Sequence, residues 1–507
     1  MLIFVKFIGK INLIILHREE IFKMDKFFKI SERGSSVRTE IFAGLTTFFA
    51  MCYIVVVNPA QVAAGGAGGW LAELGADSAA LGQIWNSVYI ASILVAIIGT
   101  LLMAFYAKMP FAQACGMGLN SFFCTSFISA AHFSGVDLID GYQSGCVIIL
   151  ASGLVFLVLS VTGLRKYIAK SLPDCLKKAI PAGIGLFIAY IGFQNVGFIQ
   201  GNQYTVSALF DFHGAIAGAE SGFAAWIAVA PVVLTLFGLI LIGVLAKKNV
   251  KGNVIISILA VTVLYYVTTL TKPSFNLGNI GQSFKDFAAI GIPGVFKGSS
   301  WANAFSGAHI GGVFNAVAII ITFCLVDMFD TIGTLYGTAA QADMLDENGD
   351  PINVDEAMMC DSIGTVTGAV LGTSTCTTFV ESAAGVSAGG RTGLTSVIVS
   401  ACFAVCLFLS PVATLIPSCA TSPALIYVGV LMMKNFAKVD MEDAMSAIPA
   451  FIALIVMVLS YSISSGIGFG AIAYVLIALF TGNYKKKDIV VTIIGLLFVA
   501  RFLMISM

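Results

Sequence analysis

Three carboxylates stand in this chain where an apolar sequence should not keep them. Asp327 and Asp330 are the only charges between Ile310 and Ala342, in the run ITFCLVDMFDTIGTLYG. An ionisable side chain at membrane depth costs roughly 3 kcal/mol or more, so each is a functional candidate. Their i,i+3 spacing on a helix puts both carboxylates on one face, pointing together into the interior. Two close and poorly solvated carboxylates repel, so the pair favours retaining a proton, as a proton-coupled site needs. The plainer alternative is that hydroxyls such as Thr322 or Thr331 tie each acid to a neighbouring helix.

The other lone acid is Glu381, in LGTSTCTTFVESAAGVSAGGRTGLT. Thr373 to Thr378 is rich in hydroxyls and β-branched residues, and Ser382 to Gly390 is nearly all small. This reads as an extended piece feeding a half-helix that begins near Glu381. Such a start leaves free N–H groups and a positive dipole end facing a cavity. Glu381 could accept a hydrogen bond from a ligand N–H there, or merely cap the half-helix. The corresponding place earlier in the chain is FAQACGMGLNSFFCTSF, broken by Gly116 and Gly118 and followed by Asn120. Asn120 carries both donor and acceptor, which suits a heterocycle with alternating N–H and C=O edges. Packing helix to helix is its bland alternative, and Gln113 is a lesser candidate of the same kind.

The elements that must position these residues are membrane spans. The 507 residues are 58% hydrophobic and 11% charged, with a mean hydropathy of +0.96. A soluble globule uses about 25% charged residues, and a span needs about 20 apolar ones. A large soluble catalytic module is thereby excluded. With 27 basic against 27 acidic residues there is no basic field for nucleic acid. Apolar segments fall near 40–62, 84–106, 111–131, 144–164, 177–199, 224–246 and 252–271, and again near 310–342, 357–372, 375–389, 393–416, 421–434, 445–464 and 466–481. Seven is odd, so the second set inserts opposite to the first, as in the inverted repeats of many secondary transporters. Eight Lys and Arg between Lys6 and Arg38 place the N-terminus in the cytoplasm. Arg165, Lys166, Lys170, Lys177, Lys178, Lys247, Lys248, Lys251, Lys434, Lys438 and Lys485 to Lys487 fall on the same side. The acidic loop 343–356 departs from this pattern, but acids count little in the rule. A last apolar run, 489–507, follows the Lys485 cluster and contains Arg501; the sequence leaves open whether it crosses or lies at the interface.

Other patterns fail. The 11 cysteines lie almost entirely in apolar runs and read as reduced packing residues. Cys402 and Cys406 share a helix face, but no His or second Cys pair completes a zinc site. His17, His132, His213 and His309 sit toward segment ends and receive no role. Gly466, Gly468 and Gly470 lack a strand-turn-helix context for a nucleotide. Aligning Gly349 at the turn of a calcium loop puts Met344 at the first ligand position, which removes that reading. No metal and no cofactor are implied.

Together the runs 37–59 (VRTEIFAGLTTFFAMCYIVVVNP), 113–123 (QACGMGLNSFF), 326–337 (VDMFDTIGTLYG) and 372–395 resemble the adenine/guanine/hypoxanthine permease branch of the nucleobase-cation symporter-2 family. The resemblance runs from about Met24 to the C-terminus, and makes Met24 the expected functional start. It implies an all-α polytopic protein of fourteen segments in a 7+7 inverted repeat, segments 3 and 10 each carrying a short strand before a half-helix. It implies a core domain from 40–171 and 309–416, a gate domain from 172–271 and 417–481, an N-terminal extension 1–39, an extracellular linker 272–308 and a C-terminal piece 482–507. It implies a purine nucleobase as substrate and places Asp330, Glu381, Asn120, Asp327, Gly118 and Thr378 in the binding site. Asp327, Asp330 and Glu381 become the groups that carry the coupled proton, Phe122 or Phe379 a ring to stack on the base, and a homodimer in the plasma membrane the expected assembly. Thr331 after Asp330 points to purines rather than uracil. The rivals are an anion or other solute exchanger on a similar scaffold, which clustered carboxylates oppose by repulsion, and an intramembrane hydrolase. Paired catalytic aspartates would be expected on separate facing segments, not i,i+3 on one helix.

Overall fold

The computed structural model describes residues 25–163, 171–202, 206–250, 252–273, 275–306, 310–341, 344–345 and 351–504. The proposed start at Met24, Arg165, Lys166, Lys170, Lys251, His17, His309 and residues 343 and 346–350 of the acidic loop lie outside the described residues.

Chain order runs α1 (Val37–Met51), α2 (Ile54–Val62), α3 (Ser78–Leu102), β1 (Gln113–Cys115), α4 (Met117–Phe123), α5 (Leu138–Val161), α6 (Asp174–Gln194), β2 (Ile199–Asn202), β3 (Val206–Leu209), α7 (Gly222–Lys247), α8 (Asn253–Thr269), α9 (Gly312–Gln341), α10 (Val354–Leu371), β4 (Cys376–Thr378), α11 (Ser382–Ser387), α12 (Gly393–Cys406), α13 (Ser418–Met433), α14 (Ala444–Leu459), α15 (Ile463–Phe480) and α16 (Ile489–Met504). Among the described residues seven helical stretches are long and apolar enough to cross a membrane, and shorter apolar helices accompany them. Many starts are written in the sequence: Ser36, Asp77, Asp137, Ser221, Thr392, Asp443 and Ser462 each accept a backbone N–H in the first turn of the helix they precede. Such caps contribute about 1 kcal/mol each.

The helices pack in two groups. In the first, α10 lies on α5 and α3, α12 lies on α1 and α3, and α9 runs along α5. In the second, α6 packs on α13 and α14, α7 on α8 and α13, and α14 on α15. Without a hydrophobic drive between helices in lipid, small residues let them close up. At the α6–α13 crossing a Cβ on Gly429 would stand 2.4 Å from the Gly185 carbonyl oxygen. The groups meet where α4 and α9 touch α6, where α1 touches α8 and where α2 touches α13.

The structure departs from the sequence reading in several places. The first helix begins at Val37 rather than 40, which moves Glu40 from the edge of the segment into the first turn of the helix. The chain is not purely helical, because besides β1 and β4 an antiparallel hairpin, β2–β3, stands after α6. The stretch 272–308 carries helices Gly278–Asp286 and Gly298–Phe305. The run 393–416 breaks after Cys406 into α12 and a short turn of helix, Ser410–Ala413. The last apolar run forms α16, packed along α15 with Phe469 and Phe502 stacked at 4.6 Å.

Candidate functional site

The two broken segments, 111–131 and 375–389, meet through their extended pieces. β1 and β4 pair antiparallel with Gln113 opposite Thr378, Ala114 opposite Thr377 and Cys115 opposite Cys376. The Gly116 N–H donates to the Thr375 carbonyl at 3.1 Å, and the Phe379 N–H to the Ala112 carbonyl at 3.0 Å, so the ladder extends beyond each strand. Each strand satisfies backbone groups of the other where both are fully buried. The half-helices α4 and α11 lead away from this crossing. Since α11 has only six residues, its dipole is small, and what holds its ends sets its position.

Around the crossing stand four carboxylates, one more than the sequence reading counted. Glu381, immediately before α11, is partly exposed and does not cap that helix. Its Oε1 instead accepts from the Tyr53 hydroxyl at 2.6 Å. Asp330 is also partly exposed, and its Oδ2 lies 3.9 Å from where a Cβ of Gly116 would be. Asp327 is buried; its Oδ2 accepts from Thr365 Oγ1 at 2.7 Å, and its Oδ1 has no partner. Asp361 on α10 is the acid that was missed. It is fully buried, its Oδ1 accepts from Gln113 Nε2 and from Thr378 Oγ1, the latter at 3.0 Å, and its Oδ2 has no partner. Among the described residues no Lys or Arg is ion-paired with any of the four.

The shared-face expectation for Asp327 and Asp330 is thus refined. Asp327 turns to α10 behind the strands, whereas Asp330 turns to the crossing itself. Neither Thr322 nor Thr331 holds them: Thr322 bonds the Ala318 carbonyl and Thr331 bonds Thr377. Asn120 is fully buried, with its amide shared among Asn58, Gln61 and Ser374. Gly118 faces α6, where a Cβ would stand 2.3 Å from Ile184 Cγ2. Thr378 serves Asp361. Phe122 and Phe379 are both buried, Phe122 against Phe323 at 4.8 Å. Of the residues singled out in the sequence, only Asp330 and Glu381 therefore combine a charge with exposure. Asp361 had a signal of its own, a lone acid inside the apolar segment 357–372. Tyr53 had none, being one aromatic among many. Among the described residues no three His, Cys, Asp or Glu side chains gather as a metal site.

A family model described as the permease family matches residues 38–469. The chain belongs to this permease family. The permease is 35% identical over 486 residues to a putative permease of Methanocaldococcus jannaschii, covering 95% of this chain and 99% of the relative. It is 35% identical to the guanine/hypoxanthine permease PbuO of Bacillus subtilis (93% and 98% covered) and 34% identical to the adenine permease AdeP of Escherichia coli (95% and 96% covered). Among solved structures it resembles the transmembrane domain of a cyanobacterial bicarbonate transporter, BicA, with a TM-score of 0.55 at 15% identity over 84% of this chain and 96% of that one. The murine anion transporter Slc26a9 in its inward-facing state gives a TM-score of 0.57 at 10% identity, covering 87% and 68%. These two likenesses speak for the fold alone. The permease is a multi-pass membrane transporter and not an enzyme, and its sequence stands with the adenine and guanine/hypoxanthine permeases.

Proposed function

We propose that this permease imports purine nucleobases, namely hypoxanthine, guanine or adenine, across the plasma membrane together with a proton. The observation that carries the reading is the Glu381 carboxylate, held by Tyr53 at the head of α11 and, like Asp330, only partly buried. A purine presents N–H donors along its edge, and a carboxylate offers only acceptors. Glu381 accepts from the ring, Asp330 accepts from a second N–H or carries the coupled proton, and Tyr53 fixes the carboxylate that does the reading. Asp327, buried behind the strands, is the third proton candidate. Asn120, tied to Asn58 and Ser374, keeps the α4 side of the crossing in register.

In this reading fourteen segments form a 7+7 inverted repeat with a cytoplasmic N-terminus. The first packing group, 40–171 with 309–416, is the core that carries the site. The second, 172–271 with 417–481, is the gate, through which two copies pair. Motion of one group against the other exposes the site alternately. What supports the partition is that packing is dense within each group and thin between them. An anion as cargo is disfavoured by the repulsion of the two exposed carboxylates.

The test is radiolabelled hypoxanthine uptake in cells lacking their own purine permeases, with and without a protonophore, with adenine, guanine, xanthine and uracil as cold competitors. Uptake that collapses with the proton gradient and yields to purines alone is expected. No uptake of any base, with the protein confirmed in the membrane, overturns the substrate class.

A further inference from the structure

The short helix α11 is held at both ends, by Tyr53 in the turn between α1 and α2 at the site end and by Glu40 of α1, through the link to the first turn of α12, at the far end; only the site end belongs to the function described above. Gly385 lies so close to α1 that a Cβ there would stand 2.0 Å from Thr47 Oγ1 and 2.7 Å from the Ala43 carbonyl oxygen. At the site end is the Tyr53–Glu381 bond. At the far end, thirteen residues and about 20 Å of helix from Tyr53, stands Glu40. It is fully buried. Its Oε1 accepts from the Arg391 N–H at 2.9 Å. Its Oε2 accepts from the Thr392 and Thr395 N–H groups at 3.3 Å each and from Thr395 Oγ1 at 2.6 Å. The Arg391 guanidinium turns back to the Val386 and Gly390 carbonyls at 2.7 and 2.9 Å, closing the end of α11.

We propose that Glu40 is a positioning residue of the substrate site, setting the register of α11 on α1 and thereby the meeting of Glu381 with Tyr53. A six-residue helix has almost no stability of its own, so its place is dictated by whatever grips its ends. Four donors converge on Glu40, and only an acceptor-only group satisfies them all; an amide would turn an N–H toward an N–H. When that grip loosens, α11 shifts or frays and Glu381 drifts from the Tyr53 hydroxyl. The inference rests on the purine-uptake reading for its kinetic readout, and a second readout needs no substrate.

The experiment compares wild type, Glu40→Gln, Tyr53→Phe and the double variant for hypoxanthine KM and for Vmax per membrane-resident protein. Glu40→Gln raises KM at least fivefold with Vmax within twofold, and the double variant is no worse than the poorer single one, because both changes break the same contact. An unchanged KM in Glu40→Gln, or effects that multiply in the double variant, overturns the proposal. If Glu40→Gln fails to reach the membrane, Thr395→Val, which removes one of the four donors, replaces it in the same cycle and is held to the same outcomes. Should wild type take up no base, the purine reading fails by itself. The clamp is then decided by thiol labelling of Val380→Cys, at a position 43% exposed beside Glu381. Labelling that is several-fold faster with Glu40→Gln supports the clamp, and an equal rate overturns it.

Discussion

Gln113 and Thr378 face each other across the strand crossing and donate to one and the same oxygen, Asp361 Oδ1. The pairing of β1 with β4 and the seating of a buried acid on α10 are thus one arrangement, joining β1 to two neighbouring segments, one of which carries an acid 248 residues further along the chain. Because Asp361 Oδ2 has no partner, an asparagine can keep the acceptor and put its NH₂ where that oxygen stands.

Asp361→Asn is therefore expected to reach the membrane at near-normal abundance while losing at least tenfold in uptake, since one of the buried acids beside Asp330 and Asp327 that could take a proton is gone. Asp361→Leu is expected to lower abundance as well, because Gln113 and Thr378 would each be left unpaired at about 1–3 kcal/mol. Quantitative blots of membranes alongside uptake check both; equal uptake by Asp361→Asn and wild type would show the acid to be a strut only.

Glu381→Gln should abolish uptake and leave the protein in the membrane, because the partly exposed side chain packs little and its carboxylate is the proposed acceptor of the purine N–H. Wild-type uptake by this variant would sink the role given to Glu381.

Tyr53→Phe removes a hydroxyl that donates to a carboxylate, an interaction on the order of 1.5–3 kcal/mol. KM for hypoxanthine is expected to rise about tenfold with membrane abundance unchanged, and the initial rate against concentration measures it. A lower Vmax at constant KM would instead place Tyr53 in the transport motion.

Gly385→Ala places a methyl group against Thr47 Oγ1 and the Ala43 carbonyl. Uptake is expected to fall at least tenfold, and Thr47→Ala added to it to restore part, since it removes the nearer of the two obstacles. Failure of the second change to restore anything would mean that the backbone contact at Ala43 governs the approach.

Much of the site was legible in the sequence because charge is expensive in lipid. In a chain with 11% charged residues, Asp327, Asp330 and Glu381 stand out by type and place alone. The strands before α4 and α11 were legible too, since glycines and β-branched hydroxyl residues interrupt the helical pattern of 111–131 and 375–389. Glu40 was passed over because it stood at the edge of the segment drawn as 40–62, whereas the helix begins three residues earlier.

What only the tertiary structure decided is who partners whom. Tyr53 is 328 residues from Glu381, Gln113 is 248 from Asp361 and Glu40 is 351 from Arg391. Residue type announces that a buried donor or acceptor must be satisfied. It does not say by which segment, because that depends on how helices distant in sequence are brought side by side. For the same reason Asn120, whose donor and acceptor suited a ligand equally well, proved to be occupied by Asn58 and Ser374. Asp327 and Asp330, one helical turn apart, proved to face different neighbours.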